Sequence, residues 1–305
     1  MSVEPWRCPV YRRAYRGASD LAAVQQLVAQ RTMVMGIGTN LHPGDIAHRI
    51  YNGLRWVDDR RGHVHIWEDA EGVAGFGLTW PNEAAFDVVT RLDLTGGATR
   101  SMISELTALV SPDGHAETDV IGGDPGVTDS LSALGYRWSE DVFAFTAQRL
   151  PGPRLPTAAD YRLRAVVAGD AAALAAVHGS AFGSRWTAEK YAELMSTPGY
   201  VPEREIVAVA DDGSFAGFAV TWYDELNRVG HFEPVGVARE HHRRGVGRLL
   251  LAEGMRRMWD AGMTTATVWH SLADERASAF YRSCGFERLT TVSRWVLADE
   301  PTPEG

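Results

Sequence analysis

The sequence predicts a mixed α/β fold in two tandem domains, each a mixed β-sheet flanked by helices, and three observations predict it. First, the stretch Leu150 to Asp160 contains Pro151, Pro153 and Pro156. Each proline fixes φ and removes an N–H donor, so the stretch reads as an extended linker, 150–160, between a domain at 1–149 and another at 161–305. Second, the pairs Gly135-Tyr136 and Gly285-Phe286 lie 150 residues apart. In each, a glycine that tolerates left-handed φ ends a helix and an aromatic enters a strand. Third, the elements before those pairs follow one order in both halves.

Each half opens with a short strand, Tyr11–Arg16 and Tyr161–Ala165. Asp20 and Asp170 then stand as caps before apolar helical runs. A second helical stretch follows at Pro43–Trp56 and at Thr187–Ser196. Two apolar, β-branched or aromatic runs come next, His63–Glu68 with Val73–Trp80 and Glu205–Ala210 with Phe215–Trp222, each pair joined by a glycine-containing turn. A third strand (Ala84–Leu92; Gly230–Val237), a helix, a strand and a final helix complete each half before its closing strands. A repeated β-α-α-β-β-β-α-β-α-β-β order belongs to the mixed α/β class.

Hydrophobic residues make up 45% of the chain, enough to bury a core in each half. No apolar run approaches the roughly 20 residues that cross a bilayer, and the first residues lack a signal-peptide core. Cys8 and Cys284 form neither a disulfide framework nor a metal spacing, so a reducing cytoplasm and no metal are expected. The net charge of −9 argues against nucleic acid, which requires clustered cations, and suits a cationic amine. Lys190 is the only lysine among many arginines, which reads as a high-GC bacterial genome.

The chemistry-bearing segment runs from His231 to Leu251. A strand enters a loop, His242-Arg243-Arg244-Gly245-Val246-Gly247-Arg248, and then a helix whose apolar side carries Leu249, Leu250, Met255 and Met258. A helix N-terminus offers free N–H groups and the positive end of the dipole. Gly245 and Gly247 let a phosphate approach the backbone, and Arg243, Arg244 and Arg248 add positive charge, so the segment reads as a pyrophosphate cradle. A GxxxxGK[ST] loop is absent, and Leu250 stands where a dinucleotide fingerprint has its third glycine.

Val235-Gly-Val-Ala-Arg-Glu-His-His-Arg-Arg-Gly-Val-Gly-Arg-Leu-Leu resembles the acetyl-CoA signature of the GNAT acetyltransferase superfamily. Asp274-Glu-Arg-Ala-Ser-Ala-Phe-Tyr-Arg-Ser-Cys-Gly-Phe286 resembles its closing motif. The resemblance covers about 160–298. His242 replaces the usual Gln or Arg, and Asp274 the usual Asn. The resemblance implies two GNAT-like domains with splayed sheets and acetyl-CoA as co-substrate. Pantetheine would lie along Val235 and Val237, and the pyrophosphate on Arg243, Arg244, Gly245, Val246, Gly247 and Arg248, with Asp274 also on the coenzyme side. Residues 10–149 are similar more weakly. Their Thr95-Gly96-Gly97 lacks a Gly-x-Gly and an arginine pair, so the first half reads as a degenerate copy. This tandem architecture is similar to that of mycothiol synthase and several antibiotic-modifying GNAT enzymes.

Acetyl transfer needs a neutral amine, donors for an oxyanion and a proton for the leaving thiolate. His231 and Glu233, two apart on one strand, share a face. The resemblance places His231 where a catalytic Glu often stands and Glu233 one pleat further, and a bulge expected there leaves both as candidate bases. Tyr281 matches the position that commonly protonates the thiolate. Phe182, Trp186, Trp222, Asp224 and Glu225 fall where such enzymes bind their acceptor, with Trp269 a further lining group. The reading is an N-acetyltransferase acting on a small-molecule amine, an antibiotic, amino sugar or related metabolite, as a monomer or homodimer without membrane contact. A protein or peptide N-terminus as acceptor, and a non-catalytic acyl-CoA sensor, are the alternatives.

Overall fold

The computed structural model describes residues 9–297 apart from 82, 112, 113, 151 and 153–159. Pro151, Pro153 and Pro156 of the expected linker therefore lie outside the described residues. Among the described residues, no helix is long and apolar enough to cross a membrane.

The chain forms two compact units that do not coincide with its two halves. One comprises the described residues up to Leu41, Trp56–Val142 and those from Thr291 on; the other comprises His42–Arg55 and Phe143–Thr290. A short piece of the first half, 42–55, is thus built into the second unit. The closing strands are also exchanged between the halves.

In the first unit, β1 (Tyr11–Ala14), β2 (Val64–Asp69), β3 (Gly72–Thr79) and β4 (Phe86–Thr90) form an antiparallel meander. β5 (Ala116–Ile121) follows β4 with one parallel bridge, Ala85 to Glu117. Helices α1 (Ala18–Met35), α3 (Gly96–Val110) and α4 (Pro125–Ala133) accompany the strands, and α2 (Pro43–Ala47) belongs to the second unit. The core gathers Trp67, Phe86, Met102, Leu106 and Tyr136. Strand β6 (Arg137–Arg149) leaves this unit at residue 142, and β12 (Glu287–Leu297) enters it, pairing Val292–Leu297 antiparallel with β5. Each half was expected to close with two strands; each closes with a single long one.

The second unit orders its strands β6, β11 (Thr265–Ser271), β10 (Val229–Val237), β9 (Phe215–Asp224), β8 (Glu205–Ala210) and β7 (Tyr161–Ala165). All neighbours are antiparallel except β10 and β11. That parallel ladder runs from Val229–Thr265 to Phe232–Val268 and stops, although both strands continue. At the same point β10 bulges against β9, with Glu233 and Pro234 between the paired Phe232 and Val235. The bulge expected from sequence is present, and beyond it the two strands part.

Helices α5 (Ala171–Phe182) and α6 (Ala188–Met195) cover one face, packing Leu174 and Tyr191 with Val207 and Phe218. α7 (Val246–Asp260) and α8 (Glu275–Ser283) pack Leu250, Met258 and Tyr281 with Phe232, Val268 and Phe286. Leu249, Leu250, Met255 and Met258 are all buried, as the apolar spacing predicts. Asp20 and Asp170 play parallel parts that differ from the simple caps expected. Gly17 is the N-cap of α1, and Asp20 accepts from Arg16 N while pairing with Arg13. Asp170, the N-cap residue of α5, makes no side-chain cap bond but accepts from Val167 N and pairs with Arg164.

Gly254 marks the closest approach of α7 to the sheet. A Cβ there would stand 2.3 Å from Phe232 Cε1 and 3.3 Å from Thr221 Cγ2. In a helix Ala is ordinarily preferred to Gly by roughly 1 kcal/mol. Here Gly254→Ala is expected to destabilise by about 1–3 kcal/mol through overpacking, lowering the thermal midpoint by several degrees. Gly169→Ala, where nothing lies within 4 Å, should shift it hardly at all. A raised midpoint in Gly254→Ala would show that α7 does not pack this tightly.

Candidate active site

The parting of β10 and β11 leaves the backbone of residues 233–237 without a ladder on the β11 side. Val235 and Val237 are half-buried there, paired on their other side with Ala219 and Gly217. The chain then turns through Arg243 at φ 62° and Gly245 at φ 81° into α7. Gly245 is the N-cap, with no side chain capping the first turn, so the N–H groups beginning at Val246 face outward unclaimed by a cap.

The two glycines of the motif have different tasks. A Cβ on Gly245 would meet nothing within 4 Å, so its need is the left-handed backbone, and the space above it is open. A Cβ on Gly247 would stand 2.9 Å from Phe280 Cζ, so its need is the close packing of α8. Arg243 and Arg244 are exposed, whereas Arg248 is tied to Ser283 through its carbonyl (3.1 Å) and hydroxyl (3.0 Å). His242 turns back, its Nε2 3.1 Å from Val237 O. Asp274 caps α8, accepting from Arg276 N and Ala277 N. An uncapped helix start under open space, flanked by free arginines, fits the diphosphate of a coenzyme.

Where the strands part, β10 meets segment 42–55. His231 is fully buried, its Nδ1 2.8 Å from Thr267 Oγ1 and its Nε2 3.4 Å from Asp45 Oδ1. Asp45 Oδ2 accepts from His42 N at 2.8 Å and from Trp269 Nε1 at 3.3 Å. Burial pushes the Asp45 carboxyl upward, but His231, Arg49 and His42 outweigh it and hold the group below its ordinary range. The His42 ring stacks on His231 at 5.0 Å. Its Nδ1 accepts from Gly44 N, which leaves Nε2–H to donate to Val229 O. Burial, with the charge of His231 adding to it, lowers the pKa of His42 to about 3 and keeps the ring neutral.

Glu233 points to the same segment, its Oε1 3.5 Å from His48 Nε2, while its carbonyl accepts from Trp222 Nε1 at 2.8 Å. His48 sits in a π-helical turn, His48–Gly53, where Asn52 Nδ2 lies 3.4 Å from its Nδ1. Burial lowers His48 to about 4, so the ring is neutral. Burial raises Glu233 to about 7, the negative charge of Asp45 adding to the rise and His231 and Arg49 opposing it. Tyr281 is buried on α8, stacked on His270 at 5.4 Å. Burial and then the charge of Glu233 raise its phenol above the ordinary range.

The acceptor-side residues separate into two groups. Trp222 and Trp269 join the centre through the bonds just given. Trp186 packs on His178 (5.5 Å) and Tyr191 (4.9 Å), with the Arg55 guanidinium 4.5 Å from its ring centroid. Phe182 is exposed near His178. Asp224 and Glu225 are not brought to this centre. Asp224 is buried in the β9–β10 turn, accepting from Asn227, and Glu225 is exposed beside Arg204. The turn lies past the Val229–Asp224 end of the ladder, whereas the bulge stands opposite the middle of β9, between Thr221 and Ala219.

Sequence reasoning missed two groups. His42, Asp45 and His48 stand nearly 190 residues before β10, and the unusual density of His and Asp in Leu41-His-Pro-Gly-Asp-Ile-Ala-His48 is their one local signal. The other group surrounds a narrow cavity lined by His48, Tyr191, Tyr200, Glu205, Trp222 and Pro234, among others. Glu205, read only as the first residue of a strand, is fully buried on its wall.

Residues 172–286 match the acetyltransferase (GNAT) family. Over 212 residues the chain is 27% identical to mycothiol acetyltransferase of Frankia alni, a likeness covering 62% of this chain and 63% of that relative. Among solved structures it is similar to a GCN5-related N-acetyltransferase from Sphaerobacter thermophilus. The TM-score is 0.58 at 18% identity, covering 94% of this chain and 95% of that one. A tandem GNAT protein from the clavulanic acid biosynthesis pathway superposes with a TM-score of 0.63 at 15% identity, over 96% of this chain and 100% of that one. The chain therefore has the tandem GNAT fold, and residues 172–286 of its second half carry the match to the GNAT acetyltransferase family.

Proposed function

We propose that the protein is an acetyl-CoA-dependent N-acetyltransferase that acts on a primary amine of a small molecule, by direct attack with both substrates bound. The observation that carries this reading is Glu233, a half-buried carboxyl at the point where β10 and β11 part, a few residues before an open helix start. Acetyl-CoA supplies the activated acetyl group. Val235 and Val237 offer backbone groups along the gap, and the first turn of α7 with Arg243 and Arg244 holds the diphosphate.

An alkylammonium has a pKa near 10 and must lose a proton before attack. Glu233 is placed to accept it. Of the two candidate bases it has the freer side chain, 26% exposed, whereas His231 is fully enclosed, its Nδ1 at Thr267 and its Nε2 3.4 Å from Asp45 without a hydrogen bond. Asp45, held by Trp269 and His42 N, faces the His231 ring, and His48 faces the Glu233 carboxylate. Tyr281 is the proton donor for the leaving thiolate. The likeness to mycothiol acetyltransferase favours one specific acceptor class, an amine in the making of a thiol metabolite, alongside antibiotics and amino sugars.

The test is amine-dependent release of free CoA thiol from acetyl-CoA with pooled amines. Glu233→Gln should lower kcat by roughly 10²–10⁴, and Tyr281→Phe should lower it less. The base acts only when ionised, so kcat/KM should fall about tenfold per pH unit below about 7 and level off above it. Glu233→Gln should lose that acidic limb. An unchanged limb in the variant would remove Glu233 as the base.

Joint replacement of Arg243 and Arg244 by Ala should raise the KM for acetyl-CoA by roughly tenfold with kcat little changed, because exposed guanidiniums bind phosphate but touch no reacting atom. Calorimetry of acetyl-CoA binding checks it, and equal affinity in the double variant would move the diphosphate elsewhere.

A further inference from the structure

We propose that His48, its tautomer set by Asn52 and Arg55, is a positioning residue for Glu233: it turns an N–H toward the carboxylate and so favours the ionised form that accepts the proton of the amine. The proposal rests on the acetyl-transfer reading and adds to it a part that the first half of the sequence supplies.

The turn His48–Gly53 is π-helical, a rare winding that recurs at functional sites. Just past it Arg55 is anchored, its guanidinium 4.5 Å from the Trp186 ring centroid. Arg55 Nη1 donates to Asn52 O at 2.8 Å and to Asn52 Oδ1 at 3.1 Å. A guanidinium only donates, so the amide atom it meets is the oxygen, and the NH₂ branch is the one turned to His48. That nitrogen lies 3.4 Å from His48 Nδ1. An amide NH₂ only donates as well, so Nδ1 accepts. Burial keeps the His48 ring neutral. A neutral imidazole has a single N–H, which therefore sits on Nε2, 3.5 Å from Glu233 Oε1. The carboxylate thus faces a donor and not a lone pair.

The other groups that bear on this carboxyl act through charge. Asp45 raises its pKa, His231 and Arg49 lower it, and Tyr281 on α8 feels its charge in turn. His48 differs in offering an N–H. A separation of 3.5 Å is long for a hydrogen bond, and such bonds are often long in a free enzyme and tighten once the substrate is bound. An N–H donated to the charged form of a carboxyl favours that form. When the ammonium of the acceptor gives its proton to Glu233, the carboxyl becomes neutral. Nε2 already holds its hydrogen, so His48 does not take that proton at this atom; it orients the carboxylate and steadies its charge before transfer.

The test follows the Glu233 carboxyl itself, by NMR titration of full-length protein carrying carboxyl-labelled glutamate, with Glu233→Gln to assign the signal. The acidic limb of kcat/KM is measured beside it. His48→Phe keeps a ring and removes the N–H, so the ionised form loses its donor. Both midpoints should move upward by about one pH unit. His48→Gln, whose amide again offers an N–H, should recover most of that shift. Asn52→Leu releases the tautomer and should shift both midpoints the same way by less; it leaves His48 in place, so misfolding of the His48 variants does not close the question. A role in packing alone would lower the rate at every pH and leave the midpoints where they are. That result, or equal shifts in the Phe and Gln variants, would overturn the proposal. So would a proton found on Nδ1 of His48 by nitrogen NMR. If no amine is acetylated, the acetyl-transfer reading falls and the carboxyl titration decides the contact separately. An upward shift in His48→Phe then supports it, and an unchanged midpoint ends it.

Discussion

The site depends on one event in the sheet, the end of the parallel ladder at Phe232 and Val268. Up to that pair, β10 and β11 satisfy each other's backbone; after it, the bulge at Glu233–Pro234 turns β10 away. Pro234 has no N–H to offer a ladder, which suits a strand that is about to leave its neighbour. Everything assigned to chemistry lies around this point: Glu233 in the bulge, Val235 and Val237 on the freed edge, and the open start of α7 just beyond. Tight packing beneath keeps the opening where it is. Phe232, fully buried, stands against Gly254, and Gly230 against Met258, so α7 cannot slide along β10.

Segment 42–55 adds what β10 alone lacks. His231 is an imidazole inside the sheet, and an unconstrained ring there would have two tautomers and no fixed role. Thr267 on Nδ1 and the stacked His42 ring hold it, and Nε2 faces Asp45 at 3.4 Å without a hydrogen bond. Asp45 is fixed in turn by the His42 backbone and by Trp269, which links the first half of the sequence to the tip of β11. Charge follows from this arrangement. An ionised Asp45 pushes the nearby Glu233 upward, so the group that faces His231 also tunes its neighbour.

Much of the fold was legible because its signals are local. Gly135 and Gly285, the strands at Glu205–Ala210 and Phe215–Trp222, and the Gly245–Gly247 turn announce themselves through backbone need and short-range periodicity. What was not legible is set by long-range pairing. Nothing in Phe143–Arg149 says that it will pair with β11, nor in Val292–Leu297 that it will pair with β5, because both runs would serve either sheet equally well. The same limit hid Asp45 and Glu205. A lone acid beside apolar residues looks like a surface group until the tertiary fold buries it. Asp224 and Glu225 stand at the turn just past Trp222, where Asn227 holds Asp224 and Arg204 lies beside Glu225.

The comparison of the two units shows how little separates a cradle from a plain turn. At the start of α3, Thr95 caps the helix with its own hydroxyl, accepting from Ala98 N, where Gly245 leaves α7 uncapped. Arg91 stands near that start, but Asp69 and Asp93 already claim its guanidinium, and Glu71 and Glu105 make the adjacent cleft acidic. Behind it, buried Arg31 bonds the carbonyl of Thr90 at the end of β4 and the carboxylate of Asp124 at the cap of α4. In the second unit the corresponding strand end is a bulge bearing Glu233, and among the described residues no arginine side chain pairs with the corresponding cap, Asp274. A phosphate approaching α3 would meet a start that Thr95 already caps, with Arg100 beside Gly96 and the carboxylates of Asp69, Glu71 and Asp93 in the adjacent cleft; approaching α7 it would meet an uncapped start with the exposed Arg243 and Arg244. The start of α7 is uncapped where the start of α3 carries the Thr95 cap, a difference of a few side chains that supports reading the first half as a degenerate copy.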